Sequence, residues 1–253
     1  MKKIICYFVL ILAIIACKEQ KSNLIWSDEF NYNGLPESSK WGYDTGYIAN
    51  NEKQYYTNGR IDNAVVGNGM LMIIGRKEGM KGYAYTSARL ITQRKFSCKY
   101  GTIEARMKLP VGQGMWPAFW MMGTNISQVD WPKCGEIDIM EHINNVPTLY
   151  GTAHWDKGGH VSSGGTVPCD VTQFHSYSVT WDQDSIRWLL DGTRYCGVCI
   201  KDSVNNTSAF HKPFFILLNL AIGGFWPKDP DSTTVFPDTV LVDYVRVYRN
   251  TPR

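Results

Sequence analysis

The 253-residue sequence is short of charge: 19% of it is Asp, Glu, Lys or Arg, and neither sign dominates, with 26 basic residues against 23 acidic ones. Lys2 and Lys3 lie in a segment expected to be removed, which leaves 24 against 23. That balance, with no basic run, excludes the electrostatic footprint of a nucleic-acid binder. The five histidines show no ligand spacing, so no transition-metal site is expected. Helical periodicity is scarce. A Gly-x-Ser-x-Gly elbow, a phosphate loop and a dinucleotide fingerprint are all missing, and no organic cofactor is implied. Past Cys17 the cysteines are Cys98, Cys134, Cys169, Cys196 and Cys199, an odd set that excludes a complete disulfide framework. In an extended strand Cys196 and Cys199 point to opposite faces, which argues against redox or zinc use.

What the chain does have is hydrophobic residues, 44%, and an aromatic share of 13% that includes nine Trp. The length is enough to bury a substantial core without staples. Ile4 to Ala16 carries no charge and follows Lys2-Lys3; it is too short to span a bilayer but fits the apolar region of a secretory signal. It ends Ile14-Ile15-Ala16-Cys17 before an abruptly polar stretch, and resembles a bacterial lipobox. Residues 1–16 are thus expected to be a lipoprotein signal peptide, Cys17 the acylated residue and 17–23 a tether. The rest, 24–253, reads as one domain, since no linker, repeat or compositional break follows Asn23. The expected location is the bacterial cell envelope, with the domain held at the outer membrane or cell surface by lipid alone.

Short alternating runs separated by Gly, Pro, Asn and Asp recur along this domain. From Ile103 to Leu109 the odd positions are apolar and the even ones polar, a strand with one face buried. Phe174 to Leu190 reads as two strands joined at Trp181-Asp182-Gln183-Asp184, and Val240 to Tyr248 as a final strand. Many strands without interleaved helices predict an all-β fold of two stacked antiparallel sheets.

The richest stretch for chemistry is Gly135-Glu136-Ile137-Asp138-Ile139-Met140-Glu141-His142. Alternation places Glu136 and Asp138 on one face and Ile137 and Ile139 on the other. Glu141 sits at an odd offset, and one extra residue bulging at Ile139-Met140 would return it to the acidic face. The two Glu would then lie roughly 13 Å apart at Cα. Side chains leaning together could close that to about 5 Å, the separation of nucleophile and acid/base in retaining glycosidases. Mutual repulsion at that distance favours a proton on one of them. A solvated strand face, or a calcium site, would show the same acids.

Upstream, Trp116, Ala118 and Trp120 share one face of an extended Met115 to Gly123. Two Trp with only Ala between them form a flat platform for sugar rings, with indole N–H groups free for hydroxyls. Trp131, five residues before Glu136, is placed to wall the same cleft.

With these motifs the chain resembles glycoside hydrolase family 16, most closely its laminarinase-like endo-β-1,3-glucanases. The resemblance runs through Trp26-Ser27-Asp28-Glu29-Phe30, Asn50 to Thr57, Thr86 to Leu90 and Tyr100 to Arg106. It continues through Trp116 to Trp120, Gly135 to Glu141, Gly151 to Trp155, Asn219 to Gly224 and Val242 to Tyr248. It implies a β-jelly roll with a concave substrate cleft and retaining hydrolysis. Glu136 would be the nucleophile, Glu141 the acid/base and Asp138 a helper. Asn50, Arg89, Trp116, Trp120 and Trp131 would contact sugar, with His154 near the acid/base. No cofactor is required for catalysis, but a structural calcium is carried by many relatives; the matching positions are Glu29 and Asp243, with a carbonyl near Gly67, and plain exposure or salt bridges would suit those two acids equally well. The expected partner is a β-glucan such as laminarin, and the expected state a monomer. Mixed-linkage glucans, marine galactans, transfer to sugar acceptors and non-catalytic glycan binding stay open.

Overall fold

The computed structural model describes residues 23–46 and 49–250. The signal segment 1–16, Cys17 and most of the tether lie outside the described residues. Strands dominate, as the alternation predicts. In chain order they begin with β1 (Leu24–Asp28), β2 (Gly42–Asp44), β3 (Gln54–Tyr56), β4 (Ala64–Gly67), β5 (Met70–Gly75) and β6 (Tyr85–Ser87). Next come β7 (Arg89–Ile91), β8 (Gly101–Lys108), β9 (Met115–Gly123), β10 (Glu136–Glu141), β11 (Thr148–Asp156) and β12 (His160–Pro168). The last are β13 (His175–Trp181), β14 (Ser185–Leu190), β15 (Thr193–Cys199), β16 (Phe214–Ile222) and β17 (Asp238–Tyr248). A four-residue helix, α1 (Ile126–Val129), and a 3₁₀ segment, Lys201–His211, interrupt the β pattern.

Two antiparallel sheets stack as a jelly roll. One has the order β15-β14-β13-β8-β17-β5-β4, with β1 added on β17; the other runs β12-β11-β10-β9-β16-β7-β2. A small parallel pair, β3 and β6, stands apart from both. Along β8, Ile103, Ala105 and Met107 are buried while the intervening Thr102, Glu104 and Arg106 are not, so period-two alternation sets which face meets the core. β16 departs from alternation. All nine of its residues are buried, because its inner face meets the inter-sheet core while Phe215 and Leu217 join Ala118, Trp120 and Met122 in a second cluster on the outer face.

The core between the sheets takes Phe119, Ile137, Ile139, Met140, Ile216 and Leu218 from the second sheet. Against them pack Ile103, Tyr177, Val179, Trp188 and Val245 from the first. Trp188 also crosses the core with a polar contact: its indole N–H donates to the backbone carbonyl of Asp138 at 2.7 Å. Gly151 makes room for it, since a Cβ there would fall 2.4 Å from Trp188 Cδ1. The five described cysteines are free thiols. No helix among the described residues is long and apolar enough to cross a membrane.

Trp188→Phe keeps the apolar bulk and strands a buried carbonyl. The expected loss is about 1–3 kcal/mol of unfolding free energy, read from urea denaturation at unchanged slope.

Candidate active site

β10 carries the three acids, and its register shows how they come to one side. Against β9, Asp138 pairs with Trp120 and Met140 with the adjacent Phe119, so Ile139 is the extra residue. Against β11 the shift falls in the same place, between Asp138 and Glu141. Ile139 and Met140 both turn into the core, which returns Glu141 to the face of Glu136 and Asp138. The expected bulge is there, and all three carboxyls line one cleft of about 320 Å³.

The cleft buries Asp138 and leaves Glu136 and Glu141 partly exposed at its surface. Burial pushes the Glu136 carboxyl well above its ordinary range, with repulsion from Asp138 and Glu141 adding to it and His154 and Arg89 opposing. Asp138, only 3% exposed, is likewise pushed well up by burial and by Glu141. Glu141 is raised by burial, against the pull of a Trp116 hydrogen bond and of His154. Three carboxyls that favour the neutral form in one pocket will hold protons where exposed acids have lost theirs.

The residues expected to contact sugar converge on this cleft. Asn50, Arg89, Trp116, Trp120 and Trp131 line it, while His154 sits directly opposite Glu136 in the strand ladder. The aromatic platform differs from expectation in one respect: the indole N–H groups are not free. Trp116 donates to Glu141 Oε1 at 2.8 Å, Trp131 to Glu136 Oε2 at 3.1 Å and Trp120 to Asn219 Oδ1 at 2.8 Å. Trp120 is only 9% exposed, and the Arg89 guanidinium lies over its ring at 4.7 Å. The open aromatic surface is Trp131, 43% exposed, with half-buried Trp116. His154 contacts Asp138 rather than Glu141: its Nε2 is 3.0 Å from Asp138 Oδ2.

Other cleft residues were not anticipated. Glu52 lines the cleft beside Asn50, and burial raises its carboxyl. Asn219 is a lone amide within the apolar Phe214–Ile222 strand, a sequence signal for a buried polar task. Trp226 packs edge-on against Trp116 and against Tyr150, the cross-strand partner of Glu141. It follows Gly223-Gly224, a turn signal that gives no hint of where the ring points.

The calcium expectation fails on its donors. Both Glu29 oxygens accept from Arg246, at 3.0 and 2.7 Å, and Asp243 Oδ2 accepts from Arg106 at 2.6 Å. Two carboxylates already neutralised by guanidinium groups do not fit a divalent cation. Donor atoms of Glu136, Asp138 and His154 lie within 4.8 Å of one another; a proton-sharing acid cluster accounts for that closeness, and no metal is assigned to it.

Comparison with known proteins bears on the same strands. A β-glucanase of Rhodothermus marinus is 43% identical over 246 residues, covering 89% of this chain and 85% of that protein. Glucan endo-1,3-β-glucosidase A1 of Niallia circulans is 37% identical; the match takes in 90% of this chain but only 38% of that longer protein. Among solved structures, the laminarinase of Rhodothermus marinus aligns with a TM-score of 0.86 and 41% identity, over 91% of this chain and 98% of that one. The family described as glycosyl hydrolases family 16 matches residues 50–246, from the rim of the cleft through the bulged acidic strand to the last strand of the sandwich. On that match this chain is a member of the family, and its cleft is that of a glycoside hydrolase.

Proposed function

We propose that the protein is a retaining endo-hydrolase of β-1,3-glucans such as laminarin. The observation that carries the reading is the bulge that sets Glu136 and Glu141 on one cleft face, together with one relative named as a glucan endo-1,3-β-glucosidase and another named as a laminarinase. Glu136 attacks the anomeric carbon while Glu141 gives its proton to the departing glycosidic oxygen. The Trp116 N–H occupies Glu141 Oε1, which leaves Oε2 to carry that proton. Trp131 steadies the other carboxylate through Glu136 Oε2. In the second half Glu141 takes a proton from water, the resulting hydroxide attacks the same carbon, and Glu136 is released as carboxylate. Asp138 shares protons with Glu136 and sets which acid stays neutral.

Incubation with laminarin should release short glucooligosaccharides; no new reducing ends from laminarin, lichenan or a galactan would sink the reading. Glu136→Ala is expected to lose at least about 10³-fold in kcat. Glu141→Gln is expected to lose about 10²–10⁴-fold on laminarin, and far less on aryl glucosides whose leaving groups need no proton. A glycan-binding protein without catalysis would show unchanged behaviour in both variants.

The raised carboxyls also carry a stability signature. Between the ordinary carboxylate range near pH 4 and the raised values, the folded protein holds more protons than the unfolded chain, so stability falls as pH rises through that window. Glu136→Gln removes one such buried charge. Its Tm should exceed wild type at pH 8, with the gap closing toward pH 4.

The lipobox-like ending at Cys17 supports attachment to the cell envelope by lipid. On this reading Cys17→Ala moves the protein from the membrane pellet to the soluble fraction; equal pelleting of both forms would refute it.

A further inference from the structure

The β3–β6 pair stands apart from both sheets and takes no part in the chemistry above, yet it is fastened to the floor of the cleft. Two buried side chains of β3 bond to β16. Gln54 Oε1 accepts from the Ile222 N–H at 2.7 Å, and the Tyr56 hydroxyl accepts from Asn219 Nδ2 at 3.2 Å. The Lys53 N–H adds a bond to the Ile222 carbonyl at 2.8 Å. This anchorage fixes Glu52, because Gln54 Nε2 donates to its Oε2 at 2.6 Å and Asn50 Nδ2 to its Oε1 at 3.4 Å.

Glu52, only 6% exposed, lines the catalytic cleft and also a second groove of about 390 Å³. Lys53, Tyr83, Tyr85 and Asp229 line that groove with it. Both tyrosines are half-buried, with the small, exposed Ala84 between them. Their rings are held by neighbours: Tyr83 lies 5.9 Å from Tyr55 and Tyr85 lies 5.1 Å from Phe236, centroid to centroid. Rings fixed in this way on an anchored pair of strands give a pyranose flat apolar surface with polar tips, at little cost in side-chain freedom.

The charges in the groove narrow the ligand further. Lys53 Nζ lies 3.5 Å from Asp229 Oδ2, so the pair offers a donor and an acceptor to hydroxyl groups without a net charge. A sulfated chain would meet the carboxyls of Asp229 and Glu52 as like charges. Continuity supplies the occupant, since a chain that leaves the cleft past Glu52 enters the groove that Glu52 also lines. We propose that the groove of Lys53, Tyr83, Tyr85 and Asp229 is a second glycan-binding site, which takes the part of a neutral β-glucan chain that runs beyond the catalytic cleft.

The β-1,3 linkage of that chain rests on the proposed hydrolase reading; binding in the groove does not require cleavage. Titration calorimetry on Glu136→Gln, in which long chains stay intact, tests it with linear β-1,3-gluco-oligosaccharides from the disaccharide to the octasaccharide. Affinity should rise a second time once the chain is long enough to pass Glu52. Tyr83→Ala on that background should abolish the second rise, a loss of about three- to tenfold for the octasaccharide, and leave the trisaccharide unaffected. Tyr83→Phe keeps the ring and should keep the rise. Octasaccharide affinity unchanged in both Tyr83→Ala and Tyr85→Ala, a loss of equal size at every chain length, or no binding at any length would each overturn the proposal. If the second rise is seen while wild type releases no reducing ends from laminarin, the hydrolase reading fails and the groove stands.

Discussion

The carbonyl of Asp138 accepts a hydrogen bond from the indole of Trp188, which reaches it across the core from the other sheet. A bulge takes backbone groups out of the ladder, and a buried orphan carbonyl is costly. The ladder of β10 shifts register just past Asp138 toward both neighbours, at the depth Trp188 can reach. Gly151 belongs to the same device, because a side chain there would occupy the space of the indole. A strand reading Glu-Ile-Asp-Ile-Glu would hold its acids on one face by alternation alone. With one residue more, this chain keeps them together only if Ile139 and Met140 both turn inward. Trp188 and the apolar core stabilise that choice, and the cleft follows from it.

The acids gathered this way are kept from direct pairing with the guanidinium that lines their cleft. Arg89 is the guanidinium nearest the purpose, but its Nε lies 3.0 Å from Asp44 Oδ2 and its charge rests over the Trp120 ring. A direct pair with Glu136 would favour the carboxylate and remove the reason for a proton to stay in the cluster. Held at one remove, Arg89 softens the repulsion without ending it. The indole N–H groups of Trp116 and Trp131 act similarly, each supplying one hydrogen bond and no net charge. The site pays in stability for raised proton affinity, which is the usual direction of exchange at catalytic centres.

How much of this was legible in the sequence depended on whether the signal was local. β8, β13, β14 and β17 follow from alternation and turn residues, because one face of each strand is wet and the period survives in the sequence. The bulge was readable too, since Glu141 stood one position out of phase with Glu136. β16 was harder, buried on both faces and carrying no period. The fate of the indole N–H groups was not legible: Asn219 lies far along the chain from Trp120, and only the pairing of β16 with β9 brings them together. The calcium expectation failed for the same reason. Glu29 suited a calcium or a salt bridge equally until the pairing of β1 with β17 brought Arg246 against it.

The abundance of tryptophan has an answer that differs from sugar stacking alone. Besides Trp116, Trp120, Trp131 and Trp188, Trp41 donates to the buried Asp28 at 2.8 Å. Trp155 and Trp181 reach backbone carbonyls of Asn205 and Phe210 at 2.8 and 3.0 Å, both in the 3₁₀ segment. Each ring brings a large apolar surface and exactly one donor, so it can fill space between layers and still satisfy an acceptor that the ladder leaves out. That combination suits a sandwich whose irregular backbone is its working part. Phe would fill the same volume and leave the carbonyls and carboxylates unbonded; Arg or Lys would bond them but bring a full charge into the cleft. A neutral donor on a rigid ring is what lets the acids stay close without a full cation between them, and it ties the composition of this chain to its chemistry.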